Sequence, residues 1–456
     1  MVVPFGKAMR EAHFSFAPSY VPLNHGSFGT FPDSVRDRRR SIQSETEARP
    51  DTFIRFTYPK LLLEARRAVA PLLGADAEEV VFVPNALTGI NTVLRNLEYV
   101  EGDVILHFST IYPGCLKTIR SLEETTAVRG YGIDLLYPIE DDDILRKARD
   151  AVLAVAEQGQ RVVVAVFDTV LTFPGARLPW ERLVRFYRQQ GILTCIDAAH
   201  GIGNIDLTHL AGVGPDFVIT NCYKWLMTPR GCSVLYVPRR NQHLMKTSFP
   251  TDGRFLPEAD RKQIPPAEYF GHLFESVSTI DTSPYLCVVE ALKFRKEVCG
   301  GEEQVRAYSI GLAKEGGELM ASIMGTEVLK NETGTLQECC FTNVRLPLGI
   351  DHEASSGGGG GSGEGSKESS GGIAEGDADA VAFWMTERSV SEFDTYIAVR
   401  YYAGSFWTRL SGQIYLDLSD FAWAAGVLLE LCARAQRGHW KGAVVDDASV
   451  SHLAYR

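Results

Sequence analysis

An α/β fold built on a mostly parallel sheet is predicted by this sequence, and three observations predict it. Between Glu79 and Val237, short apolar runs alternate with stretches of helical period. Those runs are apolar on successive residues and rich in β-branched side chains, as strands are when helices cover both faces of their sheet. Beyond Val288 a long helical stretch leads into a shorter set of strand and helix signals, so a smaller α/β unit is expected at the C-terminal side.

The elements follow in order. EVVFV (79–83) is a strand and TGINTVLRNLEY (88–99) a covering helix. DVILHF (103–108), a helix from about Leu116, IDLLYP (133–138), DILRKARDAVLAVAE (143–157) and RVVVAVF (161–167) continue the alternation. WERLVRFYRQQ (180–190), ILTCID (192–197), DFVIT (216–220) and CSVLYV (232–237) complete it. VVEALKFRKEV (288–298) opens the long helix, and LQECCFTNVRLPL (336–348) and AVAFWMTERSV (380–390) belong to the smaller unit. SSGGGGGSGEGSKESSGG (355–372) lacks the apolar content to fold and is expected as a flexible insertion.

Composition narrows the function. The chain has 456 residues, 45% hydrophobic and 23% charged, with a net charge of -11. It has ample length for a core and two or three domains. The acidic balance and the absence of a long basic cluster argue against nucleic acid and anionic membranes as partners. No window has the uncharged apolar length of a membrane span, and the first residues break too early for a secretory segment, so a cytosolic protein is expected. Nine scattered cysteines, an odd number without a CxxC pair, read as reduced structural thiols; no metal site is expected.

In parallel α/β sheets ligands sit beyond the carboxyl ends of the strands. After EVVFV comes PNALTG, where Ala86, Leu87 and Thr88 begin a helix whose N–H groups suit a phosphate; an ordinary cap is the simpler alternative. STIYPG follows DVILHF and puts Tyr112 where its ring covers a flat ligand, unless it is a core tyrosine. DAAHGIG carries Asp197 and His200, and NCYKWLMTPRG carries Lys224 among apolar residues. A solvated lysine lying on apolar surface is one reading; the other is a desolvated amine prepared as a nucleophile. One ligand uses all four loops. Pyridoxal phosphate needs a lysine for its aldehyde, an acid facing its ring nitrogen, a phosphate cradle and a ring partner.

LNHGSFGTFP, NALTGINTVL, DTVLTFPGARLP, CIDAAHGIG, NCYKWLMTPRG, STIDTSPYL and WTRLSGQIYL occur in the order seen in class V aminotransferase-fold enzymes. The chain resembles their isopenicillin N epimerase-like branch, and within it the fungal hercynylcysteine sulfoxide lyases of ergothioneine biosynthesis. That resemblance implies a pyridoxal-phosphate fold-type I homodimer with a shared active site. It also implies an N-terminal segment at the site mouth (1–35), a large cofactor-binding domain (36–285) and a small C-terminal domain (286–456). Lys224 matches the cofactor-bound lysine, Asp197 the pyridinium partner, and His200 a contact to the cofactor's phenolic oxygen. Ala86, Leu87 and Thr88, with Asn221 or Tyr223, match the phosphate site, and Thr279 a position reaching the neighbouring subunit's phosphate. Arg409 matches the arginine that forks onto the substrate carboxylate; a surface ion pair is the alternative. Asn24, His25, Ser27 and Phe28 match the pocket mouth.

The implied reaction is C–S β-elimination from a cysteine sulfoxide conjugate. Lys224 acts as the base, and Tyr112 either serves the leaving oxyanion or only stacks on the ring. Rival readings are a cysteine desulfurase working through Cys339 or Cys340, an amino-acid epimerase or aminotransferase, and a scaffold without catalysis. LQECCFTNVRLP reads as a buried strand edge, which disfavours the first. Keeping Lys224, Asp197 and Arg409 together disfavours the last.

Overall fold

The computed structural model describes residues 3–351 and 373–442; the glycine-rich insertion at 355–372 lies outside them. Seven strands form the main sheet: β1 (Val80–Val83), β2 (Asp103–Phe108), β3 (Arg129–Ile133), β4 (Arg161–Asp168), β5 (Leu193–Asp197), β6 (Phe217–Asn221) and β7 (Ser233–Tyr236). Their order is β1-β7-β6-β5-β4-β2-β3, and β7 runs antiparallel to both of its neighbours while the remaining pairs are parallel. Helices cover both faces. In β4, Val164 and Val166 enter one apolar cluster while Ala165 and Phe167 enter another, and β6 splits in the same way between Ile219 and Val218. This two-sided burial is why the strands read as continuous apolar runs.

One strand differs from expectation. The edge strand β3 is Arg129–Ile133, RGYGI, and IDLLYP runs on from its end. Two glycines hid it, since glycine weakens strands. Here they make room for neighbours: a Cβ on Gly130 would lie 2.9 Å from Ile119 Cγ2, and one on Gly132 3.3 Å from the His107 ring.

The smaller sheet is antiparallel, ordered β8 (Phe341–Arg345), β10 (Ser405–Ser411), β9 (Ala398–Tyr402). The Glu302–Met324 helix lies between β8 and the Leu418–Gln436 helix, and the Ala378–Phe393 helix packs on β9. Met9, Phe14 and Leu23 from the N-terminal segment enter the same apolar cluster. There the Leu23 carbonyl accepts the Ser411 N–H at 2.9 Å. Among the described residues, no helix is long and apolar enough to cross a membrane.

Gly316 and Gly317 let the Glu302–Met324 helix approach both neighbours. A Cβ on Gly316 would stand 2.4 Å from Phe421 Cδ1, and one on Gly317 2.0 Å from Thr342 Oγ1. Gly316→Ala should gain about 1 kcal/mol of helix propensity and lose about 1–3 kcal/mol to overpacking. A net fall in the melting temperature is expected by thermal denaturation; a rise would mean that the two helices slide apart freely.

Candidate active site

The chain leaves β6 at Asn221 and makes a single helical turn, Cys222–Trp225, before β7 returns. Trp225 is buried beneath this turn, and Lys224 Nζ points into the cleft, 3.2 Å from His200 Nε2. Trp225 Nε1 can only donate, and it lies 3.2 Å from His200 Nδ1. His200 is therefore neutral with its proton on Nε2, facing the lysine nitrogen. Burial holds His200 well below the usual histidine range, and Lys224 and Arg409 push it the same way. His200 Nε2 also lies 3.4 Å from Thr172 Oγ1, and burial brings Lys224 down to about 8, towards its free amine.

Two carboxylates lie beyond β4 and β5. Asp197 and Asp168 are paired in strand register and both are buried. Burial pushes both carboxyls up, and for Asp168 the neighbouring Asp197 adds to the effect, while Lys224 opposes it at both. Asp197 Oδ1 accepts the Ala199 N–H at 2.9 Å, and Oδ2 accepts the Cys115 S–H at 3.4 Å. Asp168 and Cys115 were not singled out from the sequence. Asp168 carries the one signal that was available, an acid at a strand end like Asp197.

At the start of the Ala86–Asn96 helix, Asn85 Oδ1 accepts the Thr88 N–H at 2.8 Å, and Asn221 Oδ1 accepts the Ala86 N–H at 2.9 Å. The phosphate expectation is thereby narrowed. The Ala86 and Thr88 N–H groups are met inside the protein, and the Thr88 hydroxyl also donates to Asn85 Oδ1 at 3.1 Å. Tyr112 caps the Pro113–Thr125 helix and lies against Gly114, beside Leu87. Tyr223 is half-buried, and its hydroxyl is pushed up to about 12, first by burial and then by Asp197 and Tyr112.

Arg409 comes from β10 and is buried. Its guanidinium donates to the Thr172 carbonyl, to Asn24 Oδ1 at 2.9 Å and to Ser27 Oγ at 3.0 Å, and it lies 4.5 Å over the Phe341 ring. Asn24 and Ser27 thus meet the site through Arg409. His25 departs from its expected place at the mouth. It is buried, its Nδ1 is 2.6 Å from the Tyr415 hydroxyl and its Nε2 is 2.7 Å from the Lys224 carbonyl, so both ring nitrogens are occupied inside the protein. Phe28 is 71% exposed, and Thr279 is exposed on a loop following Ser278.

The donor set fits pyridoxal phosphate. A buried carboxylate with one oxygen held only by a weak thiol donor suits a protonated ring nitrogen, and a lowered lysine suits an aldehyde. Among the described residues no cluster of metal-ligating side chains occurs.

Residues 55–345 match the model of the family described as aminotransferase class V. The chain belongs to that family. Its cofactor is pyridoxal phosphate, and it is an enzyme. Epichloe uncinata has an L-cysteine desulfhydrase-like protein, lolT1, that is 35% identical over 446 residues, covering 94% of this chain and 96% of its own. The hercynylcysteine sulfoxide lyase of Schizosaccharomyces pombe is 30% identical over 429 residues, covering 94% and 98%. Among solved structures, the cysteine desulfurase CsdA of Escherichia coli aligns with a TM-score of 0.66 at 16% identity, covering 94% of this chain and 98% of that one. The fold of this family member is therefore that of the pyridoxal-phosphate fold-type I enzymes.

The buried histidines tie stability to pH. Burial, the leading cause, takes His25 from an ordinary 6.5 down to about 4, so below about 6.5 the unfolded chain binds a proton that the folded one refuses. Stability is lost as pH falls from 6.5 towards 4, by roughly 3 kcal/mol for this one group. His25→Gln should flatten that part of the curve of chemical denaturation against pH. An unchanged slope would show that the ring does not stay neutral.

Proposed function

We propose that this protein is a pyridoxal-phosphate-dependent carbon–sulfur β-lyase acting on a cysteine sulfoxide conjugate such as hercynylcysteine sulfoxide. The balance is one conjugate and one water to a sulfenic acid, pyruvate and ammonia. The observation that carries the reading is the meeting of a lowered Lys224 amine with His200 and the Asp168–Asp197 pair in one cleft, while all nine cysteines are buried. A persulfide mechanism needs an accessible thiolate, and burial drives Cys339 and Cys340 the other way.

When bound, pyridoxal phosphate supplies an electron sink that makes an amino acid's Cα proton acidic. Lys224 Nζ removes that proton. Asp197 would keep the cofactor's ring nitrogen protonated, and Cys115 and the Ala199 N–H keep its carboxylate aimed. His200, whose Nε2 lies 3.2 Å from Lys224 Nζ, would donate to the cofactor's phenolic oxygen. Arg409 receives the substrate carboxylate, exchanging the neutral Asn24 and Ser27 oxygens for a charged acceptor. Tyr112 is the hydroxyl assigned to the departing oxygen.

A second reading is supported by the names of several relatives, L-cysteine desulfhydrases, with hydrosulfide leaving in place of sulfenate. Both eliminations use the same residues. Incubation with hercynylcysteine sulfoxide and with cysteine, assaying pyruvate, sulfide and alanine, separates them. Pyruvate from the sulfoxide supports the lyase, sulfide with pyruvate from cysteine the desulfhydrase, and sulfide with alanine would overturn both. Lys224→Ala should lower pyruvate formation roughly a hundred- to ten-thousand-fold. Arg409→Lys should raise KM roughly ten- to a hundred-fold by losing a forked contact.

The enzyme is further proposed to be a cytosolic homodimer. Support comes from exposed apolar side chains at Ile54, Phe56 and Ile280, the last of them next to the exposed Thr279, and from thiols that form no bridge. Light scattering should give twice the chain mass, and Thr279→Ala should weaken retention of the cofactor on dialysis. A monomer with full cofactor would refute the shared site.

A further inference from the structure

The turn that carries Lys224 is too short to satisfy its own backbone. A helix leaves its last four carbonyls without internal partners, and Cys222–Trp225 has only four residues. The Cys222 carbonyl accepts the Leu226 N–H at 3.1 Å, and the Lys224 and Trp225 carbonyls are met from outside. His25 Nε2 lies 2.7 Å from the Lys224 oxygen, and Arg295 Nη1 donates to the Trp225 oxygen at 2.9 Å. The Tyr223 oxygen abuts Gly29, where an added Cβ would come within 1.8 Å of it. On the other side, a Cβ on Gly203 would lie 2.6 Å from the Trp225 oxygen. Gly29 and Gly203 both have positive φ, 64° and 78°, so the turn is gripped by backbone that only glycine suits.

Each donor is itself held. A carbonyl can only accept, so His25 carries its proton on Nε2, and its Nδ1 accepts from the Tyr415 hydroxyl at 2.6 Å. Arg295 is fully buried and ion-paired with Glu302, with one contact at 2.7 Å. Behind the turn, two side chains with fixed hydrogen-bond directions hold consecutive carbonyls. In front of it, the Lys224 amine lies 3.2 Å from His200 Nε2 and feels the charges of Asp197, Arg409 and Asp168.

We propose that His25, oriented by Tyr415, is a positioning residue for Lys224: it fixes the peptide from which the lysine side chain departs, with Arg295 doing the same for the next peptide. The assignment rests on Lys224 as the reacting amine. It makes the N-terminal segment part of the machinery that aims the base, in addition to its contact with Arg409.

The test uses the holoenzyme in three variants, His25→Ala, His25→Gln and Tyr415→Phe. The first readout is the pH midpoint of the colour change of the bound cofactor, which reports the proton on the lysine-linked nitrogen without any substrate. His25→Ala should move that midpoint by about one unit, tenfold in proton affinity, and lower kcat roughly a hundred-fold with KM little changed, as a misplaced base does. His25→Gln keeps a side-chain donor and should recover most of both. Tyr415→Phe, which removes one hydroxyl, should fall between wild type and His25→Ala. The proposal is overturned if His25→Ala raises KM while kcat and the midpoint stay at wild-type values, for then His25 serves the substrate pocket. It is equally overturned if Tyr415→Phe matches wild type and both His25 variants unfold, for then the ring is only core. A shifted midpoint in a protein that releases no pyruvate from any cysteine derivative would leave the clamp standing and refute the lyase reading.

Discussion

The desolvation of the Lys224 amine at the sheet edge that carries Asp168 and Asp197 is the constraint around which the structure is arranged. Burial drives the amine and both carboxyls towards their neutral forms, and their mutual attraction opposes that drive. The sheet makes the encounter possible. β4, β5 and β6 are neighbours and parallel, so their carboxyl ends deliver Asp168, Asp197 and the lysine turn to one edge. A cluster of this kind tolerates little slack, because an unpaired buried charge is far more damaging than a displaced apolar side chain.

The aromatic packing under the site answers to the same requirement. Phe341 lies against Arg409, His200 and Trp225 together, with ring separations of 5.1 Å and 5.2 Å for the last two. Gly26 and Gly175 give that ring room, since a Cβ on either would come within 3 Å of it. One phenylalanine from the small sheet thus supports the carboxylate-binding arginine, the neutral histidine and the tryptophan that orients it. Joining the two sheets through a ring rather than a charge lets the contact be dry and rigid without another ion to satisfy.

Much of this was legible in the residues. Lys224, Asp197, His200 and the Asn85 cap announce themselves because strand-end loops are short and each departs from the bland composition expected there. The partners that complete the site were not legible, for a physical reason. Asp168 matters because strand register sets it beside Asp197; Cys115 matters because a helix begun at Pro113 turns its thiol onto that carboxylate; Tyr415 and Arg295 matter only through His25 and Trp225. Such contacts arise from packing between distant segments and leave no local period. His25 shows the converse, a residue placed at the right site and facing the other way. The edge strand β3 was hidden because its glycines serve a neighbour's side chains rather than its own pairing.

The order in which the chain is made gives the His25–Tyr415 contact a different significance. His25 is made before the lysine turn, and Arg409 and Tyr415 are made after it. A growing chain already holding all seven strands of the main sheet has Lys224 and Asp197 but lacks the hydroxyl that orients His25 and the small sheet that seats Phe341 and Arg409. Such an intermediate carries a desolvated amine without its full set of restraints. Because the small sheet and Tyr415 follow the main sheet in the chain, the lysine turn gains its full set of restraints only after they have been made.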